Sequence, residues 1–385
     1  MIQKKATHQL FKNLDRMEYG SLNVTTPDGQ TRSFGGHKSG EHANVELRDW
    51  RVLRNMMLRG DIAFAEDYRA GLWETDNLSA LTTIGLKNRS ALDRFVAGNS
   101  LFRVISSFSY LTRLNTLSGS RKNIHEHYDL GNGFYKLWLD PSMTYSSGIY
   151  DATGDLHKAQ HNKYDRILER LGQNDGDILE IGCGWGGFAD RAIERGFKNI
   201  KGITLSEEQY SFAKERLGDK AIIALEDYRD QDGKYQNIVS IEMFEAVGER
   251  FWPVYFDKIK SLLADNGRAV IQTITINEQD FPRYRTGGDF IRSYIFPGGM
   301  LPSPTRFYEE AEKAGLKVSD IFRFGQDYAR TLDTWLENFE EKIGNIRAMG
   351  YDEGFIRLWR LYLASCAAGF RTNKTDVMQV ELRHA

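Results

Sequence analysis

The stretch Asp177-Ile-Leu-Glu-Ile-Gly182-Cys-Gly184-Trp-Gly186-Gly187-Phe-Ala189 decides the fold of this chain. It reads as a short apolar strand that turns on four glycines and enters a helix. Glycines are needed where a ligand must approach the backbone, because any side chain would hold it off, and the helix N-terminus offers free amide donors. Outward from this turn the pattern alternates. Strands are expected at 177–181, 200–204, 221–225, 237–241, 268–274, 318–324 and 377–382. Between them lie helix signals. Ser206 followed by Gln209 is a capping box, Ser303-Pro304 opens a helix that Gly315 closes, and Leu332, Trp335, Leu336, Phe339, Ile343 and Ile346 keep helical spacing. A further helix is expected at 355–370. Strands alternating with helices give an α/β fold, a seven-stranded Rossmann-like sheet with helices on both faces.

The 385 residues, 41% hydrophobic and 27% charged, leave room for two domains and exclude a fibre or a disordered tail. We place a smaller, mainly helical N-terminal domain at 1–120 and the α/β domain at 121–385, with the junction in the polar run Ser118 to Lys122. Within the first domain, Leu47, Trp50, Val52, Leu53, Met56 and Met57 lie close to a helical stripe, and a second apolar run covers Leu78 to Leu86. A formal net charge of -2 gives no support to a nucleic-acid partner held by bulk positive charge. Residues 87–122 differ from that average. Lys87, Arg89, Arg94, Arg103, Arg113, Arg121 and Lys122 face a single acid, Asp93, with Phe95, Phe102, Phe108 and Tyr110 between them. Such a stretch can lie on an anionic membrane surface, or form an ordinary helix with a solvated basic face. Two cysteines, Cys183 and Cys366, are too few for a disulfide framework. The first residues lack the apolar core of a signal peptide, and no apolar run is long enough to span a bilayer. The expectation is a soluble cytoplasmic protein.

The glycine turn has two readings. Gly182, Gly184 and Gly187 fit the dinucleotide fingerprint G-x-G-x-x-G, with Glu207 about 20 residues on as a ribose ligand; this is the nicotinamide-dependent oxidoreductase reading. Glu180 extends the turn to E-x-G-x-G-x-G, which resembles the S-adenosylmethionine turn of class I methyltransferases. His157 and His161, spaced i, i+4, lack a third metal ligand, so no metal site is expected.

Taken with its flanks, the turn resembles that of the cyclopropane-fatty-acyl-phospholipid synthases, relatives of the mycolic acid cyclopropane synthases. The resemblance rests on His125-Glu-His127-Tyr128-Asp129, Leu139-Asp-Pro-Ser-Met-Thr-Tyr145-Ser146-Ser147, Gly202-Ile-Thr-Leu205-Ser-Glu-Glu-Gln209, Glu242-Met-Phe-Glu245-Ala-Val-Gly248 and Tyr294-Ile-Phe-Pro-Gly-Gly-Met-Leu-Pro-Ser303. It implies transfer of a methyl from S-adenosylmethionine to a cis double bond of a phospholipid acyl chain. It assigns cofactor contacts to Tyr145, Ser146, Gly182, Gly184, Leu205, Gln209, Asp227 and Tyr228. It also implies a homodimer, an N-terminal domain that engages lipid, and a location peripheral to the inner face of the membrane.

An alkene is a poor nucleophile, so the sulfonium methyl must be held in line with it in a dry pocket. Attack leaves a carbocation that aromatic faces can stabilise, and ring closure requires loss of a proton. In the family resembled, a bound bicarbonate takes that proton; its positions correspond to Ser147, Glu245, Gln272, Ile274 through its backbone, and Tyr328. The family has cysteine where this chain has Ser147 and histidine where it has Gln272. Both replacements still donate hydrogen bonds. Loss of the proton from a chain carbon instead would give a methyl- or methylene-branched lipid, so a fatty-acyl C-methyltransferase is the alternative product reading.

Overall fold

The computed structural model describes residues 2–92, 130–152, 154–171 and 176–385. The basic and aromatic stretch from position 93 onward, and the motif at 125–129, lie outside the described residues. The chain forms two compact units, neither continuous in sequence. One is Met1–Thr112 with Thr286–Ile295 and Trp335–Lys374; the other is Arg113–Arg285 with Phe296–Thr334 and Thr375–Ala385. This differs from a single division at residue 120, because helix Glu353–Arg371 packs on helices Arg51–Arg69 and Leu78–Lys87.

In the first unit, strands β1 (Tyr19–Thr25), β2 (Thr31–Gly35), β3 (Lys38–Leu47) and β4 (Trp73–Thr75) form a sheet ordered β2-β1-β3-β4 beside the helices. The stripe expected from Leu47 is divided. Leu47 ends β3 and the helix begins at Arg51, while the run from Leu78 is helical. Trp73 is fully buried against Phe64 and Tyr68. Arg357 donates to the carbonyl oxygens of Tyr68 and Trp73 and pairs with Glu74.

The second unit holds β5 (Ile178–Ile181), β6 (Ile200–Thr204), β7 (Ile222–Leu225), β8 (Tyr235–Ile241), β9 (Leu263–Ile276), β10 (Leu316–Arg323) and β11 (Thr375–His384). These are the seven expected strands, and the largest adjustment is β9, which begins at Leu263 rather than at 268. Their order is β10-β11-β9-β8-β5-β6-β7. The run from β9 to β7 is parallel, and β11 is antiparallel to both neighbours.

Strand residues alternate between two cores. Leu179, Ile238, Ala269 and Ile271 point to one side, against helices Trp252–Leu262 and Pro304–Lys313. Ile178, Val239 and Val270 point to the other, against helices Leu156–Arg170, Gly187–Glu194 and Glu207–Leu217. Burial on both faces explains why these strands read as continuous apolar runs. The capping box forms by half: the Ser206 hydroxyl accepts from the Gln209 amide at 3.3 Å. The Gln209 side chain instead accepts from the Thr204 hydroxyl at 2.8 Å.

Ile271 is fully buried in the middle of β9. Ile271→Ala is expected to lower stability by about 2–5 kcal/mol, read as a lower urea midpoint at unchanged slope.

Candidate functional site

Strand order reverses at β5, with β6 on one side and β8 on the other. In an open α/β sheet this leaves a crevice at the C-terminal ends of the strands. An open cleft lies there, whose empty space of about 1130 Å3 includes solvent beyond its mouth. The turn after β5 forms its floor. Gly182 and Gly184 have φ of 83° and 52°, a region that favours glycine. The Gly182 and Cys183 amides both donate to the Ile203 carbonyl at 3.0 Å, hooking the turn onto β6.

Tyr145, Ser146, Gly182, Gly184, Leu205, Gln209, Asp227 and Tyr228 all line this cleft. Ser146 is fixed from beneath: its hydroxyl accepts from Lys163 Nζ at 2.6 Å and its carbonyl from Gln160 at 2.8 Å. Lys163 is fully buried, and burial pushes its ammonium down to about 7 against the opposing pull of Glu242. Both Asp227 oxygens are engaged by Arg229. Tyr145 sits among rings, 5.5 Å from both Tyr135 and Trp138 and 6.4 Å from Phe296. Glu180 also lines the cleft, and its Oε2 is buried with no partner among the described residues. A glycine-rich floor at a helix start, aromatic walls and polar groups at the ends of β6 and β7 suit a nucleoside bearing a sulfonium.

The five residues assigned to an anion site are arranged otherwise. Ser147, Gln272 and Tyr328 converge on Glu242, the residue following β8. Glu242 Oε1 accepts from the Ser147 amide at 2.9 Å and from Gln272 Nε2 at 2.7 Å. Its Oε2 accepts from the Tyr328 hydroxyl at 2.5 Å. The Ser147 hydroxyl, expected as a donor, turns instead to the Gly148 carbonyl at 3.0 Å. Gln272 is held in turn by Gln379 at 3.0 Å, and Gln379 by Arg166 at 2.8 Å. Ile274 supplies its amide as expected, but to Glu245 Oε1 at 2.5 Å, which also accepts from Thr273. Glu245 Oε2 is buried without a partner among the described residues. With these donors engaged by the chain's own carboxylates, the residues present do not fit a bicarbonate.

Sequence reasoning passed over Glu242 and Lys163. Glu242 stood in a motif already singled out, a carboxylate at the C-terminal end of a parallel strand three residues before a second one, and that spacing was the available signal. Lys163 had none, because it reads as one more polar position on an amphipathic helix. Burial raises both carboxyls of the pair. In Glu242 the rise is opposed by Tyr328, Ser147, Lys163 and Gln272. In Glu245 burial and the charge of Glu242 act together, pushing it up to about 8.

Glu245 therefore keeps a proton in the folded chain that it loses near 4.5 when unfolded. Its contribution to stability is complete below that value and is lost as pH rises through about 8. Glu245→Gln should remove this decline, so urea unfolding across that window should show the variant gaining on the parent chain as pH rises.

The family model described as mycolic acid cyclopropane synthetase matches residues 116–380. Tuberculostearic acid methyltransferase UfaA1 of Mycobacterium tuberculosis is 36% identical over 85% of this chain and 80% of its own length. Cyclopropane-fatty-acyl-phospholipid synthase of Escherichia coli is 33% identical over 88% of this chain and 87% of its own. Among solved structures, the mycolic acid cyclopropane synthase CmaA1 complexed with SAH and CTAB superposes with a TM-score of 0.64 at 31% identity, covering 68% of this chain and 97% of that one. The chain belongs to the mycolic acid cyclopropane synthetase family and, with it, to the S-adenosylmethionine-dependent methyltransferases.

Proposed function

We propose that this enzyme transfers the methyl of S-adenosylmethionine to the cis double bond of an unsaturated phospholipid acyl chain and closes the product to a cyclopropane. The observation that carries the reading is the cofactor cleft bordered by the ring of Tyr145 and by the Glu242 carboxylate. Bound S-adenosylmethionine supplies an electrophilic methyl group. Gly182 and Gly184 would admit the cofactor to the backbone, while Gln209 and Asp227 would meet its polar ends. The Tyr145 ring, set among Tyr135, Trp138 and Phe296, offers π faces to positive charge developing on the acyl chain. The buried carboxylate pair provides a place for the proton that must leave. The similarity to tuberculostearic acid methyltransferase UfaA1, together with Ser147 and Gln272, favours a second product, a methyl- or methylene-branched acyl chain.

We also assign residues 1–120 to lipid engagement and dimer contacts, with the enzyme peripheral to the inner face of a membrane. No described helix is long and apolar enough to cross one. The composition of residues 87–122 supports binding to anionic lipid. Vesicles containing anionic lipid should sediment the protein and neutral vesicles should not; equal sedimentation refutes this, and a monomer by light scattering refutes the dimer.

Incubation with S-adenosylmethionine and vesicles of unsaturated phospholipid should add the mass of one methylene to the acyl chains. NMR then distinguishes a cyclopropane from a retained double bond, and an unchanged mass refutes both readings. Gly182→Val should abolish S-adenosylhomocysteine binding in calorimetry, since the left-handed backbone disfavours a branched residue and a Cβ there meets Met243 Cγ at 2.9 Å. NAD should not bind.

A further inference from the structure

The donors that family resemblance assigns to a dissolved anion are held by a carboxylate of this chain. Glu242 is the member of the polar cluster that lines the cofactor cleft; Ser147, Gln272, Tyr328 and Glu245 are not among the residues lining it. Its position is built with care. The backbone at Glu242 has φ of 50°, a left-handed conformation that costs a non-glycine residue about 1 kcal/mol or more. The Glu242 amide donates to the Gln272 carbonyl at 2.8 Å and holds the residue in that conformation. The surroundings suit a carboxylate that is charged but usable. Two hydrogen bonds fix Oε1, whereas Oε2 takes one, from Tyr328, and keeps a lone pair beside it. Burial raises the Glu242 carboxyl, Lys163 among others opposes that rise, and a protonated Glu245 adds no negative charge beside it.

We propose that Glu242 is the resident general base of the reaction, so that no bicarbonate completes the site. This rests on the methyl-transfer reading above. Once the methyl carbon has bonded to one alkene carbon and the other is cationic, Glu242 Oε2 removes a proton from the new methyl or from the adjacent chain carbon. The C–H bond breaks, and its electron pair forms the ring bond or a double bond and cancels the positive charge. The proton rests on Glu242 and passes to water after the product leaves.

The test compares the parent chain, Glu242→Gln and Glu242→Gly, each with and without bicarbonate in carbon-dioxide-free buffer. The parent chain should turn over equally in both. Glu242→Gln should lose about 100-fold or more of turnover, the range of a general base, while still binding S-adenosylhomocysteine in calorimetry, which shows that it is folded. Glu242→Gly relieves the left-handed backbone and opens a space among the same donors; added bicarbonate or formate should restore its turnover in a saturable way. A parent enzyme that needs bicarbonate, or a Glu242→Gln variant at full activity, overturns the proposal. Line broadening of isotopically labelled bicarbonate gives a readout independent of the lipid: the glycine variant should broaden it and the parent chain should not. Broadening by the parent chain refutes the base assignment, whereas failure of every acyl chain to react, with the labelled-anion result as expected, refutes the substrate reading alone.

Discussion

A carboxylate buried without partners would cost several kcal/mol, and the arrangement around Glu242 follows from that constraint. Its donors come from separate parts of the second unit: the loop before the sheet supplies the Ser147 amide, β9 supplies Gln272, and the helix after β10 supplies Tyr328. One of these donors is itself fixed. Gln272 is oriented by Gln379 on β11, which is held by Arg166, and Arg166 reaches Asp320 on β10 at 2.6 Å. A chain of polar contacts thus runs through the sheet from its edge to the cleft. Placing the antiparallel strand β11 beside β9 is what brings Gln379 within reach.

The same strands carry the cleft and the carboxylate pair. β5 delivers the glycine turn and β8 delivers Glu242, and these two are neighbours at the point where strand order reverses. Cofactor and base are thereby presented at adjacent strand ends on rigid elements. That economy suits chemistry in which a methyl must be aligned and a proton then removed from nearly the same place.

Two carboxyl groups in one buried cluster cannot both be charged cheaply. Here the environments separate them. Glu242 has three donors and a buried lysine in its neighbourhood, whereas one oxygen of Glu245 has no partner among the described residues. Glu245 shapes the site by staying neutral, with one oxygen locked to the Ile274 amide.

The sequence by itself determined the sheet, because short continuous apolar runs, glycine turns and capping residues are local signals. Ser206, Ser303 and the glycines of the 182–187 turn have their expected places. The residues named for the cofactor cleft came from the family resemblance; those after β5, β6 and β7 fall at strand ends, whereas Tyr145 and Ser146 lie in the loop before the sheet. Tertiary structure alone decided which group holds the donors. Ser147, Gln272 and Tyr328 are far apart in the chain, and nothing local in them says whether they face a solute or a side chain. That depended on Glu242, whose left-handed backbone turns its carboxylate into the space among them. A spacing pattern cannot show a backbone angle or the burial that makes such a group reactive.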